Sequence, residues 1–396
     1  MVSPESLRIM MVMESTFPSR GGGGAENQLR TLSRHLVDRG HRVSVMVPMT
    51  PLAAQRRHDE VDGVPLERIP YPKVRLLGGL VMLVRFAWRL YRRRNEYDVI
   101  HAHIAHRMSA VACVVGRMLG KPVLVKLTGW LEKEHGILSS RRTPAVFLMR
   151  RALRRATAIQ ATSEELKALL AARGFAPQQI HYIPNAVDME RFSPPPVAGP
   201  DGDEGFTAVY VGRLVPEKNL SMLIDAWAEA FPPSSAARLL IAGKGPLQQA
   251  LEHQVMAVGR AGQIEILGPQ PRERIADLLR QADVGLLVST HEGLSNSLLE
   301  YMAAGLPVIG SRISGTVDLV QDGVNGWLFD SGDRQALRDL LRRAAVLPRR
   351  ERLALGREGR RRVRELAGIE SVADRILQAY GIERPAAGPS DLGRAA

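Results

Sequence analysis

Two carboxylates, Glu292 and Glu300, stand eight positions apart in "EGLSNSLLE", with Gly293, Ser295, Asn296 and Ser297 between them. A carboxylate accepts hydrogen bonds from hydroxyl groups. The first N–H groups of a helix lack partners inside it and attract anions, phosphates above all. Ser295 is the expected N-cap of such a helix. Read alone, the nonapeptide fits equally a capped surface helix with two solvated glutamates. Similar chemistry recurs in other loops. "VGRLVPEKN" (211–219) offers Arg213 and Lys218, two cations able to reach one phosphate group and neutralise charge growing on a departing diphosphate. "STFPSRGGGG" (15–24) offers Gly23 and Gly24, where a backbone without Cβ admits a ligand closely; the loop is neither a dinucleotide fingerprint nor a P-loop. "YDVIHAH" places His103 at a strand end, nearer a cleft than His101. The plain alternatives are a flexible loop, two exposed cations and a packed histidine.

Each of these loops follows an apolar run. "LRIMMVME", "HRVSVMVP", "YDVIHAH", "KPVLVKLTG", "ATAIQATS" and "IHYIPNAVD" read as strands separated by helical patterns at 25–40, 107–119, 142–155 and from Ser163. Beyond a Pro- and Gly-rich break, "FTAVYVGRL", "ARLLIAG", "QIEILG", "DVGLLVS", "PVIGS" and "GWLF" repeat the pattern, with "IAGKGPL" and "LGPQPRE" again placing Gly and Pro after strands. The fold class is therefore α/β, two doubly wound, Rossmann-like domains facing a central cleft. The expected divisions are residues 1–190, a linker 191–205, a second domain 206–368, a helix 369–383 packing back on the first domain, and a tail 384–396. In parallel sheets ligands bind beyond the carboxyl ends of the strands, where all these loops lie. The linker contains Asp201-Gly202-Asp203. With no strand to place it, this DxD is not read as a metal site.

Composition narrows the classes. Length predicts two domains, and the single Cys113 excludes an intrachain disulfide. No signal peptide or spanning helix is read, so a cytoplasmic location is expected. The net charge of +13 is uneven: residues 1–190 hold 29 Lys/Arg against 16 Asp/Glu, and residues 191–396 hold 25 of each. Segments 74–94 and 141–155 mix long apolar residues with arginines. They read either as interfacial helices on an anionic membrane or as core helices with a basic outer face. Nucleic acid is excluded by the lack of interleaved aromatics or a binding motif.

Taken in order along residues 7–381, Gly23-Gly24-Ala25-Glu26, "DVIHAH", "IPNAVDMERF", "VGRLVPEKN", "IAGKGP" and Glu292-x7-Glu300 resemble the retaining glycosyltransferases of family 4, with the GT-B fold. The resemblance implies that Glu292 contacts the transferred sugar. The N–H groups of Ser295, Asn296 and Ser297 meet the diphosphate together with Gly23, Gly24, Arg213 and Lys218, and Glu300 accepts from the ribose hydroxyls. His103 sits near the sugar on the acceptor side. The implied co-substrate is a UDP- or GDP-hexose, with no cofactor and no obligatory metal. The acceptor is a glycan, a lipid-linked saccharide or a glycolipid; the basic, partly apolar first half, with arginines 92–94 and 150–155, separately suggests docking of a cytoplasmic protein at the inner face of the plasma membrane. Transfer retains the anomeric configuration, by front-face displacement rather than through a covalent enzyme intermediate. Thr128, followed by Gly129 and Trp130, stands where many relatives carry histidine, which puts the acceptor contact made there in question. Gly315 and Asp318 lie where relatives often have glycine and glutamate, and Asp318 is given no role. Other readings on this architecture are a phosphorylase or epimerase, for which no pyridoxal pocket is read around Lys244, and a degenerate protein that binds nucleotide or a partner without transfer. Intact Arg213, Lys218, Glu292 and Glu300 oppose the last.

Overall fold

A computed structural model of the chain describes residues 6–18, 23–49, 56–72, 74, 77–129, 136–139, 143–194 and 205–382. Fourteen strands fall into two sheets. The first holds β1 (Arg8–Met13), β2 (Arg42–Pro48), β3 (His58–Val61), β4 (Val64–Ile69), β5 (Val99–His103), β6 (Val123–Lys126), β7 (Ala158–Ala161) and β8 (Ile180–Tyr182), in the spatial order β3-β4-β2-β1-β5-β6-β7-β8. The second holds β9 (Thr207–Val211), β10 (Arg238–Ala242), β11 (Ile264–Gly268), β12 (Val284–Leu287), β13 (Val308–Ser311) and β14 (Gly326–Phe329), in the order β11-β10-β9-β12-β13-β14. Every pairing is parallel except β3 with β4. Helices cover both faces of each sheet, so central strands such as β5 and β12 are buried along their whole length; β12 reads as an unbroken apolar run, whereas β5 buries His101 and His103.

The strand order reverses at β1, between β2 and β5, and at β9, between β10 and β12. Such reversals leave a crevice beyond the carboxyl ends of the strands. The loops at these two crevices are those holding Gly23–Gly24 and His103 in the first domain, and Arg213–Lys218 and Glu292–Ser297 in the second.

Two regions differ from the sequence reading. Strands β3 and β4 form an antiparallel edge hairpin across Asp62 (φ 52°) and Gly63 (φ 77°). Two left-handed residues suit a tight hairpin turn, and Asp-Gly was its signal. "IHYIPNAVD" is a strand only over Ile180–Tyr182, since Pro184 lacks the N–H a ladder needs. Val187 instead donates to Ala367 O (2.9 Å) and accepts from Ile369 N (3.1 Å). The chain recrosses to the first domain at this point. Helix Arg349–Ala367 buries Val363 and Ala367 among second-domain residues. Helix Ile369–Ala379 then buries Val372 and Ile376, with Tyr380 beyond it, in the cluster of Ile9, Met11 and Leu124.

Candidate active site

The second domain presents its charged groups from the β9 and β12 loops. Lys218 forms an ion pair with Glu292, and Ser289 Oγ donates to the same carboxylate oxygen at 2.9 Å. Both charged side chains are largely buried, Lys218 at 12% and Glu292 at 15% exposure. Arg213 is exposed and paired with Glu217 at 3.2 Å. The two cations thus have separate carboxylate partners and do not converge on one point. Glycines 243 and 245 serve packing: a Cβ on either would run into the backbone of Gly212 or Leu214. The "IAGKGP" loop therefore fixes the backbone that carries Arg213, rather than simply opening space for a phosphate.

Helix Asn296–Ala303 starts at Ser295, whose extended backbone matches an N-cap. The Ser295 hydroxyl does not cap it; it lies 3.1 Å from Ser297 Oγ. Asn296 is turned to the first domain. Its Nδ2 donates to Gly24 O (3.1 Å), and its Oδ1 accepts from Gln28 Nε2 (3.1 Å) and Asn185 Nδ2 (2.9 Å). Gln28 also exchanges two hydrogen bonds with Ala186, at 2.7 and 2.8 Å. Gly23 is the N-cap of helix Gly24–Asp38 and donates to Glu26 Oε2. Two helix N-termini therefore approach each other across the cleft, both favourable to an anion.

The approach is set by glycine. A Cβ at Gly129 (φ 116°) would lie 2.5 Å from Gly293 Cα, and one at Gly293 would strike the Thr128 carbonyl. On the other side of Gly293, a Cβ at Gly315 would strike the Gly293 carbonyl. Asp318 bridges the domains as well, accepting from Glu164 N at 3.0 Å. Gly293→Ala is accordingly expected to hold the domains apart while leaving each folded. With reacting groups displaced by about 1 Å, kcat should fall about 100-fold. Small-angle scattering with nucleotide present should show a more open protein. An unchanged kcat would mean that this contact is not part of the working state.

His103 is fully buried, and among the described residues no hydrogen-bond partner meets either ring nitrogen. It stacks on His101 at 4.4 Å, whose Nδ1 lies 3.0 Å from Tyr380 Oη. In register on β6 and β7 sit Lys126 and Gln160. Lys126 is 4% exposed, and its ammonium has no hydrogen-bond or ion-pair partner among the described residues. Burial pushes His103 well below its usual range, helped by His101 and Lys126, so its ring is neutral. Burial likewise brings His101 down to about 3 and Lys126 down to about 7.

Glu300 lines a small recess between the domains with Gln28, Asp188 and Arg272. Burial raises its carboxyl to about 7, against the opposing pull of Arg272 and Arg191. Gln28, Asn185, Gly129, Lys126 and Arg272 escaped sequence reasoning. Their roles depend on partners far along the chain, and only Gly129, next to Thr128, was near a residue already in question. Asp201, Asp203 and Trp130 lie outside the described residues.

This arrangement has relatives. Residues 22–191 match the family model "Glycosyltransferase Family 4", and residues 198–362 match "Glycosyl transferases group 1". A 2-deoxystreptamine glucosyltransferase of Streptomyces kanamyceticus is 30% identical over 74% of this chain and 82% of its own length. A D-inositol 3-phosphate glycosyltransferase of Catenulispora acidiphila is 26% identical over 96% of each chain. A crystal structure of Anabaena Alr3699/HepE in complex with UDP superposes with a TM-score of 0.75 at 20% identity, covering 95% of this chain and 100% of that one. With two Rossmann-like domains in the GT-B arrangement and charged loops facing each other between them, the chain belongs to the family 4 glycosyltransferases and acts on sugar donors.

Proposed function

We propose that the protein transfers a hexose from UDP- or GDP-hexose to a hydroxyl of a glycan, lipid-linked saccharide or glycolipid, with retention of configuration and without an obligatory metal. The observation that carries this reading is the Lys218–Glu292 pair at the β9–β12 crevice, in the loop that leads into helix Asn296–Ala303. The nucleotide diphosphate lies at that helix start and at Gly23–Gly24, with Arg213 turning in from the surface. Glu300 accepts from the ribose hydroxyls, and Glu292 from a hydroxyl of the hexose.

In the transfer the anomeric C1–O bond to the diphosphate breaks, and the acceptor oxygen bonds to C1 from the same face. The acceptor proton passes to the departing phosphate oxygen. Negative charge grows on the leaving group, and fixed cations and N–H dipoles in a site closed to water stabilise it most at that stage. Lys218, already held by Glu292, supplies such a cation with little reorganisation. Neutral His103 faces the sugar as a hydrogen-bonding group and not as a charged acid.

Calorimetric titration of UDP, GDP and ADP in the presence of EDTA tests the donor site. One of UDP or GDP is expected to bind, with affinity lowered roughly tenfold by Arg213→Ala, a loss of about 1.4 kcal/mol. NMR of the product anomer tests retention. Binding abolished by EDTA, or an inverted product, would overturn the corresponding part of the proposal.

A further inference from the structure

Far from the cleft, one face of the first domain is built unlike an ordinary protein surface. Helix Leu77–Arg92 buries Gly78, Met82, Phe86 and Leu90 against the sheet. Its opposite side exposes Leu77, Leu80, Val84, Trp88 and Tyr91, each between 50 and 61% accessible. Their spacing of three or four residues sets them in one stripe along the helix. Helices Arg107–Met118 and Pro144–Leu153 share the same underlying core and add exposed Met118, Phe147 and Leu148. Isolated exposed apolar residues are normal, but a stripe continued on neighbouring helices marks an interaction surface.

Charge identifies the occupant. None of the three helices contains Asp or Glu, and all carry arginines. Arg92 lies 4.9 Å and Arg89 5.8 Å from the Trp88 ring centroid. Beside Trp88 opens a recess of about 450 Å³ whose charged lining is mixed, with Arg57, Arg89, Arg92 and Arg93 against Asp59, Glu67 and Glu96. Arg89 and Arg93 are paired with Glu67, whereas Arg57 and Arg92 have no carboxylate partner among the described residues. A second copy of this basic face would repel the first. No described helix is long and apolar enough to cross a membrane, so contact is with a surface.

We propose that this three-helix face docks on an anionic phospholipid bilayer, with the stripe of helix Leu77–Arg92 in the headgroup–acyl boundary and Arg57 and Arg92 beside Trp88 meeting lipid phosphates. Trp and Tyr favour that boundary because one side of each ring is apolar and the other polar. Arginine stems lie along apolar surface while their heads reach phosphate. The inference stands on this face alone and does not depend on which donor or acceptor the cleft takes.

The test is sedimentation of the full chain with large vesicles of phosphatidylglycerol and phosphatidylcholine, and with phosphatidylcholine alone. Binding is expected to the first and to be at least roughly tenfold weaker to the second. Leu80→Glu with Val84→Glu, both exposed and so tolerated by the fold, should lower partitioning at least roughly tenfold. Arg57→Glu with Arg92→Glu should do the same on anionic vesicles only, and millimolar inorganic phosphate should not release the protein. Nucleotide binding in both variants should match the parent, which separates loss of docking from loss of fold. Failure of the parent to sediment with anionic vesicles, or unaltered partitioning of the Leu80/Val84 variant, would overturn the proposal. So would a dimer in velocity sedimentation that this variant dissociates, since the face would then belong to a second copy.

Discussion

Lys218→Met is expected to lower kcat by about 100- to 1000-fold with a much smaller change in KM, the signature of an interaction strongest in the transition state. Lys218 is largely buried, and its charge is held by Glu292. A cation kept in place by a carboxylate costs little to reposition when a diphosphate arrives. The same carboxylate is fixed on its other side by Ser289, so the pair acts as one unit. Glu292→Gln should therefore also be damaging. The double variant should lose far less than the product of the two single losses, because either change alone leaves the partner charge buried and uncompensated. Steady-state kinetics on the four proteins of the cycle decides the matter. A Lys218→Met loss under fivefold, or one confined to KM, would remove Lys218 from leaving-group stabilisation. Arg213 is set apart by its exposure and its pairing with Glu217. In the proposed donor site it would act in recruitment, so Arg213→Ala should show a smaller effect on kcat.

The legible part of this protein was the part encoded locally. Strands β1 and β12 are mostly apolar runs because both sheet faces are covered, and Pro18 after the first and Gly293 after the second mark loops where the chain leaves the sheet. That suffices to place Arg213, Lys218, Glu292 and Ser295 at strand ends. What stayed hidden depends on distance. Asn296 reads as a phosphate-facing residue at a helix start, yet its side chain is taken by Gly24, Gln28 and Asn185, as many as 272 positions away. Gly293 reads as loop flexibility, whereas its lack of a Cβ lets the Thr128–Gly129 backbone close on it. His103 looks like a histidine at the mouth of the cleft, whereas the fold buries it beside His101 and Lys126. Helices Arg334–Val346 and Arg349–Ala367 show no clear apolar period in the sequence because their arginines outnumber the sparse apolar positions that pack, such as Leu337, Leu341 and Val363.

The buried charges converge on one consequence for stability. Lys126 ionises near 7 in the fold instead of near 10.5, so between these values the unfolded chain holds a proton that the fold does not. Stability then rises with pH from about 7 to 10.5 and is lost as pH falls through that range. Glu300 shows the opposite pattern. Its carboxyl, raised from 4.5 to about 7, keeps a proton in the fold that the unfolded chain has released. That term is fully favourable below about 4.5 and is lost as pH rises through 7. Both penalties are thus largely in force near neutrality, where the proposed ribose contact would need Glu300 ionised. A nucleotide whose ribose hydroxyls donate to that carboxylate would favour its charged form, so nucleotide should stabilise the protein more at pH 8 than at pH 6.

Lys126→Met keeps the length of the side chain and removes the buried charge. At pH 7 it should raise the unfolding free energy by roughly 3–4 kcal/mol, from about 1.4 kcal/mol for each pH unit of displacement. The gain should shrink to about 0.4 kcal/mol by pH 10.5, where Lys126 is neutral in the fold and half neutral in the unfolded chain. A purely hydrophobic improvement would be independent of pH, so urea unfolding of both proteins at pH 7 and pH 10.5 separates the two causes. Equal stability at pH 7 would show that the ammonium reaches water or an anion in solution, and the buried-charge account of this cluster would fall. If the gain appears and transfer activity is lost with it, the uncompensated lysine beside His103 is a stability cost maintained for the reaction, as polar groups at functional sites often are.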